Sequence, residues 1–357
     1  MPPSSPINSL LVYSMLHTMK ILPTNCVFVF FCMIVMATSA KIQSSEANAL
    51  LKWKASFDNQ SKVLLSSWFG DKPCNWVGIT CDDESKSIYK IHLANIGLKG
   101  TLQSLNISSL PKIQSLVLRN NSFYGVVPHH IGRMSNLNTL DLSQHKLFGS
   151  IPNSVGNLSK LSYLDLSGNH LSGIIPTEIT QLVGLLTLFL GNNDLSGSIP
   201  KEIGRLRNLT TLDISWSNHI GIIPASIEKI TNLSHLSVGG NKLYGNIPKR
   251  IWKMDLKHLS LAKNYFIGSI SQDIFKLRNL EILYLQESGL VGSMPEELHK
   301  MRNLIELDIS SCNLIGFIPK SIELLANITL LKLYNNQISG HIPSEVGKLV
   351  NLMLLYI

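Results

Sequence analysis

The chain has 357 residues, of which 45% are apolar and 15% charged, a composition that excludes a disordered polymer and supplies a large core. Its formal charge is +8, which fits either a mildly basic soluble surface or an acidic partner such as pectin. No cluster of Lys and Arg interleaved with aromatics is present, which argues against a nucleic-acid partner.

Residues 21 to 40 carry no charge, and Val27 to Met36 form a dense apolar run ending in Ala37-Thr38-Ser39-Ala40. This predicts a signal peptide over 1–40, with a membrane anchor as the rival reading. The segment before the apolar run is long for such a leader, so translation can start at Met15 or Met19. Export would place the chain in an oxidising compartment, where Cys74 and Cys81 are free to pair. Ser45 is positioned to cap a helix whose Ala47, Leu50, Leu51 and Phe57 line one face, with Trp53, Trp68 and Trp76 adding bulk nearby.

From residue 88 the chain repeats itself. A Gly-x-x-Pro corner, or its variant, starts at Gly125, Gly149, Gly173, Gly197, Gly221, Gly245, Gly268, Gly292, Gly316 and Gly340, with a step of 24 residues broken only by 23 between Gly245 and Gly268. A fixed period of this length predicts a solenoid. In Leu140-Asp141-Leu142 the alternation puts both leucines on one face of a short strand. Asn121, Asn169, Asn193, Asn241, Asn264 and Asn336 each stand before the corner, where an inward amide can satisfy turn backbone that no ladder reaches. His145, Ser217, Ser288 and Cys312 replace that Asn in other coils; Cys312 reads as a small buried substitute. Stacked copies predict a continuous parallel sheet on the concave side and irregular or short helical turns behind it. Ser271 stands where Pro is expected, directly after the short step, which predicts local irregularity over 250–271. The chain ends within a twelfth strand, Leu352 to Ile357.

These residues, with the signature Leu-x-Gly-x-Ile-Pro, resemble the plant-type leucine-rich repeat over about residues 45 to 357. The resemblance implies an α/β solenoid: a leucine-rich repeat superhelix with a parallel concave sheet over 88–357, the last repeat incomplete, and a helical N-terminal cap over 41–87. Cys74-Asn75-Trp76-Val77-Gly78-Ile79-Thr80-Cys81 resembles the end of the family's cap, which implies a Cys74–Cys81 disulfide; two cysteines alone make a poor metal site. Sequons at Asn59, Asn106, Asn120, Asn157, Asn208, Asn232 and Asn327 fit a secreted glycoprotein. Asn208, Asn232 and Asn327, however, share a repeat position with Asn136, Asn279, Asn303 and Asn351, so some sequons can be by-products of the repeat.

Motifs for metalloprotease, hydrolase, nucleotide-loop and kinase chemistry are missing from the sequence, which predicts no catalytic residue, cofactor or metal in this chain. Function is then expected on the concave face. There Tyr163, Phe189, Asp213, Trp216, His235, His258 and Tyr284 are the candidate ligand contacts, with His235 and His258 as candidate pH sensors. Asp141, Asp165 and Asp308 read as solvating residues of the open sheet. The resemblance implies the ectodomain of a receptor-like kinase or receptor-like protein in signalling, at the cell surface, with an extracellular peptide or protein ligand and a membrane co-receptor carrying leucine-rich repeats. Two alternatives remain: a secreted defence protein similar to polygalacturonase inhibitors, or a kinase if the gene product continues beyond residue 357.

Overall fold

The computed structural model describes residues 45–294 and 296–357; the signal-peptide segment lies outside them. The repeat coils into a solenoid whose inner wall is a sheet of 13 strands in chain order, with the strands of successive repeats side by side. Twelve of the strands come from the repeats and run parallel, from Ile88–His92 to Leu354–Tyr356. Their register is unshifted, so Leu140 lies beside Leu164 and Leu164 beside Leu188. Each coil therefore inherits the side-chain positions of the last, and every outward residue becomes a member of a column. The central leucines of these strands, from Leu116 to Leu331, face inward and are fully buried, as are Leu147, Leu171 and Leu195 from the following segment.

The wall behind the concave sheet carries the expected short helical turns and, in addition, a second sheet. The segment around each corner glycine is itself a strand: Lys146–Ser150 pairs with Ser122–Val126 on one side and His170–Ile174 on the other. The result is a lateral sheet of 8 strands from Lys99 to Ile267, continued by 3 more from Gly292 to Ile338. Its register steps by two residues per coil, so that Leu147 pairs with Gly125 and Leu171 with Gly149. Gly149 turns the corner at φ +76, where the Cβ of another residue would also meet Val126. Behind this sheet lie short 3-10 helices, most of them opened by a proline such as Pro152 or Pro176.

At 250–271 the predicted irregularity is present. The 8-stranded run stops at Tyr265–Ile267, and only an isolated bridge between Ser269 and Val291 links it to the next strands. Ser271 replaces the proline functionally, since its hydroxyl accepts from the Asp273 amide and caps the helix Gln272–Lys276. A cleft of about 1230 Å³ opens here between Ile247, Ile270, Met294 and Phe317.

Two ladders of asparagine tie coil to coil. In the inner one, Asn169 Nδ2 donates to the carbonyls of Leu142 and Leu166, and its Oδ1 accepts from the Leu147 amide. Asn193, Asn241 and Asn264 repeat the pattern. In the outer one, Asn136, Asn208, Asn232, Asn303, Asn327 and Asn351 each donate to a carbonyl 25 residues earlier. The shared position of these asparagines thus has a structural cause. The substitutes in the inner ladder are less complete. His145 accepts the Asn121 amide through Nδ1 while its Nε2 finds no partner, and the Ser217 hydroxyl is likewise unpartnered.

The cap closes the first coil. A helix over residues 45–55 and a second at Asn59–Leu64 bury Trp53, Trp68 and Trp76, whose indole N–H groups donate to the carbonyls of Thr101, Val77 and Phe69. Strand Ile79–Cys81 then pairs antiparallel with Ile88–His92 and removes the exposed edge of the concave sheet. Cys74 and Cys81 are disulfide-bonded, and Cys312 is a buried free thiol that donates to the Leu285 carbonyl. Burial pushes that thiol's pKa up, away from reactivity. Thiol labelling of the folded chain lacking residues 1–40 is accordingly expected to find no reactive cysteine, and one after denaturation. Native labelling of Cys74 would contradict the pairing.

Candidate ligand-binding face

Unshifted register decides which side chains meet on the concave sheet. One outward column runs Tyr163, Thr187, Thr211, His235, His258, Ile282, Glu306; the next runs Asp165, Phe189, Asp213, Ser237, Ser260, Tyr284, Asp308. The seven candidates therefore fall into two groups, with Asp213 between them and Trp216 apart.

Tyr163 and Phe189 form the first group, edge to face with ring centroids 6.2 Å apart. The Tyr163 hydroxyl donates to Asp165 Oδ2 at 3.3 Å. Burial first, and then the carboxylates of Asp165 and Asp141, drive the phenol's pKa upward, so it remains a donor. His235, His258 and Tyr284 form the second group, with centroids 6.2 Å apart for the imidazoles and 6.0 Å between His258 and Tyr284. Tyr284 donates to the Glu306 carboxylate. His258 is held below the ordinary histidine range, by burial and then by His235, against the opposing pull of Asp213 and Glu306. It stays neutral at the pH where a free imidazole begins to charge. Asp213 stands between the groups, in register with Phe189 and Ser237.

Trp216 lies past the strand ends. It is 55% exposed and adopts φ 51, a left-handed conformation that a bulky residue adopts only at a cost. Other coils put residues such as Asn120, Gly168, Asn192 and Gly240 at this position. Gly240 in the next coil makes room for the indole, because a Cβ there would lie 2.8 Å from the ring, and Lys263 Nζ sits 5.4 Å from its centroid. The local strain is thus matched by a neighbour without a side chain and a cation over the ring.

The aspartates correct the sequence reading. Asp141, Asp165 and Asp308 are buried and not solvating: each Oδ1 accepts both the amide and the hydroxyl of the serine two residues on, Ser143, Ser167 and Ser310. The Leu-Asp-Leu-Ser run is a turn lock at the strand exit. Asp213 makes the same two bonds with Ser215. Lys332 adds an ion pair to Asp308 at 3.4 Å. Burial lifts Asp165 above the usual carboxylate range in spite of its serine bonds.

Glu306 and Lys263 escaped the sequence reading, although Glu306 could have been found by continuing the column of Tyr163, His235 and His258. Among the described residues no group of three or more His, Cys, Asp or Glu is gathered closely enough to hold a metal ion. Hydrogen-bond donors, aromatic faces and carboxylates on a fixed grid can bind a chain of amides and side chains.

Comparison with known proteins agrees with this geometry. The leucine rich repeat N-terminal domain family matches residues 43–82, and leucine rich repeat families match 111–171, 184–206, 255–314 and 327–349. A probable leucine-rich repeat receptor-like protein kinase of Arabidopsis thaliana is 37% identical over 114 residues, 29% of this chain and 10% of that protein. The chain is thus matched to a small part of a much longer relative. Among solved structures, the Arabidopsis receptor kinase HAESA in complex with the peptide hormone IDA and the co-receptor SERK1 superposes with a TM-score of 0.81 at 32% identity, over 87% of this chain and 53% of that one. PEPR1 with AtPEP1 gives a TM-score of 0.74 at 32% identity, over 87% and 44%.

Proposed function

From a chain that is a plant-type leucine-rich repeat protein, most like the ectodomains of leucine-rich repeat receptor-like kinases, we propose an extracellular recognition module that binds an extended peptide across its concave sheet. It works in signalling as part of a receptor-like kinase or receptor-like protein, with a second leucine-rich repeat protein at the membrane as co-receptor. Among the described residues no helix is long and apolar enough to cross a membrane.

The observation that carries the reading is the pair of outward columns. Side chains in steps of about 4.8 Å from coil to coil suit an extended backbone laid over them, whose alternate residues meet Tyr163 and Phe189 first and the His235–His258–Tyr284 group further on. Trp216 rims this track. Its ring supplies a large apolar contact that is already held in place, so little entropy is lost on binding.

Selection of peptides from a displayed library against the immobilised chain, followed by calorimetry with the selected peptide, tests the proposal. Trp216→Ala is expected to weaken binding by about 2 kcal/mol. The denaturation midpoint should change little, since alanine keeps the Cβ and with it the cost of the left-handed φ. Unchanged affinity in a folded variant removes Trp216 from the site. A failure to select any peptide, together with inhibition of a polygalacturonase by the chain, would replace this reading with the inhibitor one.

A further inference from the structure

The lateral sheet leaves an uncharged band open along its length, in which exposed apolar side chains mingle with serines such as Ser150, Ser172, Ser196 and Ser198. In each coil the residue after the inward leucine and the residue after the corner glycine point outward, and neither position carries Lys, Arg, Asp or Glu from Tyr124 to His341. The stepped register merges the two positions: Val126 lies beside Phe148, Ser198 beside Ile220, Asn246 beside Ile267 and Ser293 beside Ile315. Charges return at the border, where Lys146, Asp194 and Lys242 precede the inward leucines. An uncharged centre with a polar rim is the anatomy of a protein interface.

From this band we infer that the chain associates with a second copy of itself through the lateral sheet. Its size is the first argument. Phe148, Ile174, Ile220, Tyr244, Ile267 and Phe317 are 52, 61, 50, 55, 59 and 67% exposed. Large side chains left half uncovered offer on the order of 100 Å² each. With the serines and other uncharged residues between them, the band approaches the ~800 Å² per partner of a stable interface.

Charge is the second argument. On a protein of formal charge +8, an uncharged band gives a strongly acidic or basic partner nothing to hold, whereas a second copy brings an equally uncharged band of the same length and twist. Such a contact is isologous and closes at two copies. No Asn-x-Ser/Thr sequon falls on the strands that carry the band, so glycans attached at sequons would not originate within it. The contact leaves both concave faces free, so it is independent of peptide binding.

Sedimentation of the secreted chain over micromolar loading concentrations tests the inference, and a reversible dimer is expected. The double variant Ile220→Lys/Tyr244→Lys should raise the dissociation constant about 100-fold or more by burying charge at the centre of the contact, with the thermal midpoint unchanged. Should that variant fold poorly, Phe317→Lys repeats the test at a more exposed side chain. Trp216→Ala, which probes peptide binding, should sediment as the parent does. A monomer at every loading overturns the inference. So does a dimer whose constant is the same in the folded Lys variants, since the contact would then lie elsewhere, for example at the apolar end around Val350 and Met353.

Discussion

Asn193→Ala is expected to cost about 4 kcal/mol of stability, more than the loss of any exposed contact in the chain. The side chain is buried, and its amide donates to the carbonyls of Leu166 and Leu190 at 3.0 and 2.9 Å, while Oδ1 accepts the Leu171 amide at 3.0 Å. Alanine leaves these backbone groups in the core without a partner, at roughly 1–3 kcal/mol each, and the space freed is too enclosed for bulk water to repair the loss cheaply. Because the bonds reach back into the preceding coil, the damage falls on the contact between repeats, which carries the stability of a solenoid. Urea denaturation followed by circular dichroism measures the change. A loss below about 1 kcal/mol would mean that the ladder is ornamental.

The concave sheet, the cap and the inner asparagine ladder were legible in the sequence because each rests on a residue recurring at one phase of the repeat. The lateral sheet was not. Lys146–Ser150 contains a single inward residue, Leu147, followed by a glycine at positive φ, so alternation is too short to register as a strand. It becomes one only because another coil stands 24 residues away on either side, a non-local cause that a single segment does not carry. The buried aspartates were misread for a related reason. Carboxylates are seldom buried unless partnered, and the partner, Ser143 for Asp141, was visible two residues away but was not counted as one.

The strain at Trp216 sits between these cases. One coil gives no hint of a left-handed residue, yet the column is left-handed throughout, with Asn or Gly at Asn120, Gly168, Asn192, Gly240 and Asn335 and other residues at Gln144, Lys263, Glu287 and Ser311. Read down the column, the tryptophan is its one aromatic member. The column also links sequence to the candidate site, because that aromatic side chain stands exposed beside the proposed peptide track.

His219→Leu should stabilise the chain by about 2 kcal/mol at pH 7.5, and by up to about 2 kcal/mol more at pH 5. His219 stands where Leu147, Leu171, Leu195 and Leu243 stand in other coils, and like them it is fully buried. Nδ1 faces the Gly197 carbonyl at 3.4 Å, but Nε2 has no partner, and neither has the Ser217 hydroxyl two residues before it. Burial holds the imidazole below the ordinary histidine range. A histidine neutral in the fold and chargeable when unfolded contributes its full stability above the unfolded value near 6.5 and loses it as pH falls from there toward the depressed folded value. His145, depressed by burial in the same way, adds to that slope. Glu46 opposes it. Buried beside the Ile88 amide, it is raised from 4.5 to about 7, so its stability is complete below 4.5 and is lost as pH rises through 7. The parent chain should therefore show a shallow optimum between acid and neutral pH, whereas His219→Leu tilts the profile toward acid stability and Glu46→Gln flattens the alkaline fall. Urea midpoints from pH 5 to 8 for the three proteins separate the contributions; a leucine variant parallel to the parent across that range would show that His219 does not titrate in the folding equilibrium.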